Sequence, residues 1–349
     1  MSAAEIADPL LVETVERLLV ATCTFDEVEH GELTRWSATV WDALAEAGFP
    51  WVGVPEAAGG MGGSLADAAS IVRAVGTHAA PVPLAETGLL GGWLLAAAQQ
   101  PIPDGPVTVV PDPAALSLAG GRVVGSAVVA WAQSAKQIAA LIADGRAWRV
   151  AVARPDQVSI TPGANLAGEP RDTVNWDVPV GELVLVDAPA GVDGEALVAR
   201  GSLTRILLAA GAMEAMAQLA VDYTAVRRQF GKPVASFQAV QQHLVASAQC
   251  SVKVSMAADL ALRAAMRGDA GIALAAARVV VDDATVIATR AVHQAHGAMG
   301  VTREYPLHHL SRRLWSWRHE YLTGASWKRQ LGAQVSAAGA DDLFPLLTR

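Results

Sequence analysis

The chain has 349 residues, more than one small core needs and enough for two or three compact units. Hydrophobic residues make up 52% and charged residues 17%, an excess that a partner surface would help to cover, and the net charge of -8 argues against a nucleic-acid footprint. Cys23 and Cys250 are the only cysteines and have neither disulfide nor metal spacing, so a reducing, cytoplasmic setting is expected.

The opening stretch, MSAAEIADPLLVETVERLL, carries acids where a secretory signal needs bases. The apolar runs are interrupted by charges such as Arg205 and Glu214, so no membrane span is expected. Residues 1–100 read as helices: PLLVETVERLLVATC, TRWSATVWDALAEAGF, LADAASIVRAVGTHAA and ETGLLGGWLLAAAQQ all place apolar residues at helical spacing. Between them, GFPWVGVPEAAGGMGGS is a glycine-rich loop with no strand before it and no dinucleotide spacing. From 101 to 198 the texture changes to short β-branched runs, PVTVV, GRVVGSAVVAWA, WRVAVARP, QVSITP and GELVLVDAP, punctuated by glycine and proline. These are too closely spaced for helical crossovers, so a small β domain is expected. From 199 to 349 four long helical segments, ending with PLHHLSRRLWSWRHEYLTGASWKRQLGAQVSAAG, predict an antiparallel four-helix bundle. The fold class is therefore mostly α with a small middle β domain.

Two stretches break the apolar pattern. In VRRQFGKPVASFQAVQQ, between the first two bundle helices, Arg227 and Arg228 offer planar cationic donors suited to phosphate oxygens, while Gly231 and Pro233 stop the helix. Phe230 anchors the turn or lies against a ring. In HQAHGAMGVTREYPL, Gln294 ends a helix, and Gly297 and Gly300 let backbone approach a ligand closely. Each stretch alone is equally well a capped helix end with solvated side chains. His308 and His309 read as a helix start after Pro306 without metal geometry, and Asp282 and Asp283 as a solvated helix face. The tryptophans at 315, 317 and 327 read as core or subunit interface.

Together the two stretches, Arg-x-x-Phe-Gly-Lys-Pro followed by Phe-Gln, then Gln-x-x-Gly-x-x-Gly followed by Glu-Tyr-Pro, resemble the acyl-CoA dehydrogenase family over almost the whole chain. LAEAGFPWVGVPEAAGGMGGSLADAASIVRAVG resembles that family's N-terminal helices and loop. The resemblance implies an N-terminal helical domain, a β-barrel-like middle domain and a C-terminal four-helix bundle. It implies an FAD-dependent desaturation of an acyl-CoA thioester, with electrons passing to an electron-transferring flavoprotein. It also implies that Arg227, Phe230, Gln238, Gln294, Gly297 and Gly300 serve the pyrophosphate and adenosine of a flavin held mainly by another subunit.

The chain departs from that pattern on the ring side. The family's Thr-Glu-Pro-Gly and Trp-Ile-Thr segments are missing from the β region, where Trp131 reads as strand core. The chemistry needs a carboxylate to take a proton alpha to a carbonyl. At the family's first base position this chain has Thr323, or Tyr321 in an ungapped register; at the second it has Thr204. The family includes bacterial heterotetramers of steroid side-chain degradation in which a shorter, base-lacking subunit completes the cofactor site of an unlike partner, and this chain resembles that subunit. Two alternatives stay open. One is a self-sufficient homo-oligomer with a relocated base, Glu320 before Glu214, although Glu320 equally suits an ion pair with a base such as Arg318. The other is a flavin-free structural or acyl-CoA-binding homologue.

Overall fold

The computed structural model describes residues 6–339 and residue 341. Helix α1 (Pro9–Thr22) starts where Asp8 accepts from the Leu10 N–H ahead of a proline in the first turn. Helix α2 (Phe25–Thr34) has no apolar stripe and was not expected. The Thr24 side chain caps it and Asp26 and Glu27 face its positive end. Arg35, at φ 76°, ends α2, so the helix expected from Thr34 onward begins only at α3 (Ala38–Glu46), capped by Ser37. A capping box of Ser64 and Asp67 opens α4 (Leu65–Thr77). The last helical stretch is a π-helical segment, Glu86–Gly92, running into α5 (Trp93–Ala97).

Eight strands follow: β1 (Val107–Val109), β2 (Leu116–Ala119), β3 (Arg122–Ala130), β4 (Gln137–Asp144), β5 (Ala147–Ala153), β6 (Ser159–Thr161), β7 (Arg171–Pro179) and β8 (Val184–Asp187). They form two four-stranded sheets, ordered β1-β4-β5-β8 and β2-β3-β7-β6, and all pairs are antiparallel except β1 with β4. Val123, Val129, Val174, Trp176 and Val178 of one sheet share a single core with Ile138, Ile142 and Ala151 of the other. Strands β2, β4 and β7 were not read from the sequence. The alanines of QIAALIAD suit a helix as well as a strand. In β7 the inward Val174, Trp176 and Val178 alternate with polar residues, and the same inward face carries a fully buried Asp172. The carboxylate of Asp172 accepts from Gln133 N at 3.0 Å and Gly163 N at 3.2 Å, and pairs with Arg35 at the end of α2.

Helix α6 (Gly194–Val226) follows the sheets. Contrary to the expectation from its charges, it is long and apolar enough by length and composition to cross a membrane, yet most of its apolar window is buried within the protein. That burial accounts for the composition. The chain divides into two compact units, 1–212 and 213–349, at a point within α6. In the second unit come α7 (Gln238–Met266), α8 (Gly271–His296), α9 (Leu307–Trp317) and α10 (Gly324–Ala338). The single fourth helix expected at the C-terminus is thus two. Tyr321 and Leu322 turn the chain between them at φ 52° and 76°. The buried Arg278 of α8 stabilises this turn by donating from Nη2 to the carbonyls of Arg318 (3.1 Å) and Glu320 (2.9 Å), and the Trp327 indole donates to the Tyr321 carbonyl at 3.1 Å.

Candidate cofactor half-site

The helix expected to run through Phe230 stops at Val226, and the chain turns through a minimal hairpin in which Arg228–Gln229 pairs with Lys232–Pro233. Phe230 and Gly231 occupy the turn at φ 51° and 81°. Two successive left-handed residues are what a tight hairpin demands, and glycine supplies one of them without strain. Val234 N–H closes the loop onto the Arg227 carbonyl at 2.8 Å. The two arginines are not equivalent. The Arg228 guanidinium donates to the Gly231 carbonyl at 2.8 Å, within its own turn. The exposed Arg227 side chain makes no hydrogen bond or ion pair among the described residues. Phe230 is 90% exposed, touched edge-on by Phe237 at 6.1 Å between centroids, and Lys232 Nζ lies 4.3 Å from the Phe237 ring centre.

Gln238 is the first residue of α7, exposed, behind an N-cap (Phe237) with no capping side chain. The first-turn amides therefore face outward. Gln294 lies exposed in the last turn of α8, and Gly297 caps that helix at φ 60° with open space around it. Gly300 is different. It is buried, and a Cβ there would lie 2.9 Å from the His296 Cβ and 3.3 Å from Leu307 Cδ2. Tight packing within the chain is enough to require glycine at that position.

An aromatic and imidazole cluster brings the two stretches to one end of the helical unit. His296, at the end of α8, stacks on Tyr223 of α6 with centroids 4.6 Å apart and planes at 21°. Tyr305 lies edge-on to Tyr223 at 5.6 Å and 5.0 Å from His296, and its hydroxyl donates to the Leu219 carbonyl at 3.4 Å. His293 bonds Ser311 Oγ at 3.1 Å. Burial pulls both histidines below the usual imidazole range. Sequence reasoning missed this cluster. Its signal was a tyrosine one turn before Arg227 and a histidine beside Gly297.

As a donor set, Arg227, Gln238, Gln294, Gly297 and the open end of α7 suit phosphate oxygens: one permanent cation, two neutral amides and free backbone N–H groups. No carboxylate is among these residues.

The positions weighed for a base are occupied otherwise. Thr204 is fully buried and its hydroxyl donates to the Gly201 carbonyl at 2.7 Å. Thr323 is the N-cap of α10, accepting from Ser326 N. Tyr321 is 9% exposed in its left-handed turn. Glu320 is half-buried with its carbonyl held by Arg278, and Glu214 is exposed on α6. Arg318 bonds Asp282, with Nε 2.7 Å from Oδ1. This corrects the reading of Asp282 as solvated: it is 9% exposed because its face of α8 meets the turn between α9 and α10. Asp283 is exposed and takes Lys328 Nζ at 2.8 Å. Trp131 is buried but is not in a strand. It is the first residue beyond β3, at φ 58°, donating to the Pro170 carbonyl at 3.3 Å. The helix start at His308 and His309 is as expected, with rings 4.0 Å apart, but the expectation that they lack metal geometry is not upheld, since both belong to a group whose ligand atoms lie within 4.8 Å of one another.

This order of helices, double sheet and helices, with an anion-suited end on the last unit, defines the class. Residues 9–100 match the N-terminal domain and residues 197–318 the C-terminal domain of acyl-CoA dehydrogenase. The chain belongs to the acyl-CoA dehydrogenase family. It is 31% identical to Acyl-CoA dehydrogenase FadE28 of Mycobacterium tuberculosis over 77% of this chain and 84% of that protein. It is 30% identical to Acyl-CoA dehydrogenase FadE34 of the same organism over 88% of this chain, but spans only 45% of that relative. The solved ChsE4-ChsE5 complex from Mycobacterium tuberculosis contains a chain with the same fold, at a TM-score of 0.87 and 21% identity, covering 97% of this chain and 99% of that one.

Proposed function

We propose that this chain is the base-lacking partner subunit of a heteromeric, FAD-dependent acyl-CoA dehydrogenase, completing a flavin site held mainly by an unlike subunit. One observation carries the reading: the hairpin exposes Arg227 and Phe230 at the same end of the helical unit as Gln294 and Gly297, and among the described residues no carboxylate pairs with Arg227. Phosphates of a dinucleotide match those donors. FAD, when bound, supplies the hydride acceptor for desaturation of the acyl thioester. This chain's residues hold the phosphate end, and the proton is left to a carboxylate elsewhere. FadE34 is more than twice as long as the stretch it shares with this chain, leaving room for a second unit of similar size. The ChsE4-ChsE5 structure is a complex of two differently named chains. By the same reading the complex is cytoplasmic, acts on a steroid-derived acyl-CoA and passes electrons to an electron-transferring flavoprotein.

The test is the flavin absorbance of the chain purified alone and after co-expression with an unlike family member. Little flavin alone and about one FAD per pair in the complex is the expected result. A full complement of FAD on the chain alone, with acyl-CoA turnover, sinks the proposal. A second measurement addresses the base. Glu320→Gln keeps shape and hydrogen bonding but removes basicity, and in the complex the dehydrogenation rate is expected to stay within about twofold. Loss of a general base typically costs about a hundredfold or more. A drop of that size with both ligands still bound would place the base here and favour the self-sufficient enzyme.

A further inference from the structure

The hairpin and the Gly297–Gly300 turn are built on different helices, and no hydrogen bond described here joins them directly. What connects them is a ring pair, the buried His296 and the half-buried Tyr223. Tyr223 lies one turn before Arg227, whose N–H donates to the Tyr223 carbonyl at 2.9 Å, and the Arg227 carbonyl in turn receives Val234 N–H at 2.8 Å. On the other side His296 is the last residue of α8, its Nδ1 2.8 Å from the Val292 carbonyl, and Gly300 packs on its Cβ. The imidazole is 3% exposed and lies flat on the Tyr223 ring. A close ring stack favours one arrangement of its two backbones because sliding either ring forfeits packing contacts.

We propose that the His296–Tyr223 stack is a positioning latch: it sets the Arg227 hairpin against the Gly297–Gly300 turn, so the two halves of the donor set form and open together. The proposal rests on the flavin half-site reading for its purpose, but the latch itself is a property of this chain. It is also pH-sensitive in a definite direction. The groups facing His296 are Tyr223 from α6, with the exposed Asp222 beside it, His293 from α8, and Tyr305 ahead of α9, whose carbonyl is bonded by His308. None of them is a carboxylate in contact with the imidazole. Burial lowers the proton affinity of the latched His296, outweighing the hydrogen bonds to the Val292 and Leu219 carbonyls that raise it, while an opened imidazole takes a proton below about pH 6.5. The latched state is therefore favoured above about pH 6.5 and weakens as pH falls from there towards the lowered value of the buried ring.

Amide hydrogen exchange on the full chain, corrected for intrinsic rates, reads the latch without flavin. In His296→Ala, exchange at both residues 227–238 and 297–301 should rise about five- to tenfold, while the middle of α7 stays protected. His296→Phe keeps a flat ring and cannot titrate. It should match the unmodified chain at pH 7 and stay flat to pH 5, where the unmodified chain loosens at both segments together. Loosening confined to residues 297–301 in His296→Ala, or the same acid response in His296→Phe, overturns the latch. Flavin retention in the complex separates the two ideas. Coupled exchange with unchanged flavin upholds the latch and removes the flavin reading. Uncoupled exchange with flavin loss in Arg227→Ala does the reverse.

Discussion

Arg227→Ala is expected to weaken FAD binding in the assembled enzyme by about ten- to a hundredfold, the range a charge-assisted hydrogen bond supports. The melting temperature should move by less than about 2 °C. The reason is geometric: the Arg227 side chain is exposed and contributes only its backbone to the hairpin, through Tyr223 and Val234. Exposed substitutions away from caps and networks usually stay within about 0.5 kcal/mol. Arg228→Ala is the internal comparison. Its guanidinium is already used by the Gly231 carbonyl, so it should loosen the turn slightly and affect flavin less. Equilibrium dialysis of FAD and a thermal melt on the same preparations check both. A lowered melt with flavin retained would make Arg227 a structural residue and remove it from the cofactor site.

Gly211→Ala should destabilise the first compact unit by about 2 kcal/mol and lower its melting temperature by roughly 4–8 °C, while Gly332→Ala should stabilise slightly. Both glycines are inside helices, α6 and α10, where alanine is intrinsically better by about 1 kcal/mol. Packing reverses the sign at one of them. A Cβ on Gly211 would overlap the Arg73 carbonyl oxygen and lie 2.7 Å from both Thr77 N and Thr77 Oγ1, so α4 and α6 would have to separate. Gly332 has nothing within 4 Å of that position. Calorimetry on the two variants tests whether the close approach of α4 to α6 is real. Equal and positive effects at both sites would contradict it.

Reading the chain in order recovered most of what is repetitive and missed what is local. The amphipathic runs of α1, α4, α7 and α8 are visible because apolar spacing alone announces them. Helix α2 is not, since it buries only Val28 and Gly31 and starts on the Thr24 cap and first-turn acids rather than showing an apolar stripe. In the same way, the broken fourth bundle helix is invisible in its own residues. The turn at Tyr321 and Leu322 depends on a guanidinium supplied from α8, forty residues away or more. Asp282 was misread for a related reason. Its burial follows from which helix faces the turn, and helical spacing does not encode that.

The sequence by itself determined the family, the helix–β–helix order and the phosphate-suited residue types, because motif spacing and periodicity are properties of neighbouring positions. It also placed Thr204, Tyr321 and Thr323, none of them an acid, where the family resemblance implies a base. Only the tertiary structure decided which of these residues face outward. It separated Arg227 from Arg228 by one backbone hydrogen bond, gave Gly300 a packing role, and showed through the Tyr223–His296 stack that two motifs about seventy residues apart meet at one end of a helical unit. Contacts between distant helix ends depend on helix lengths and crossing geometry, which are set by the packing of the whole unit.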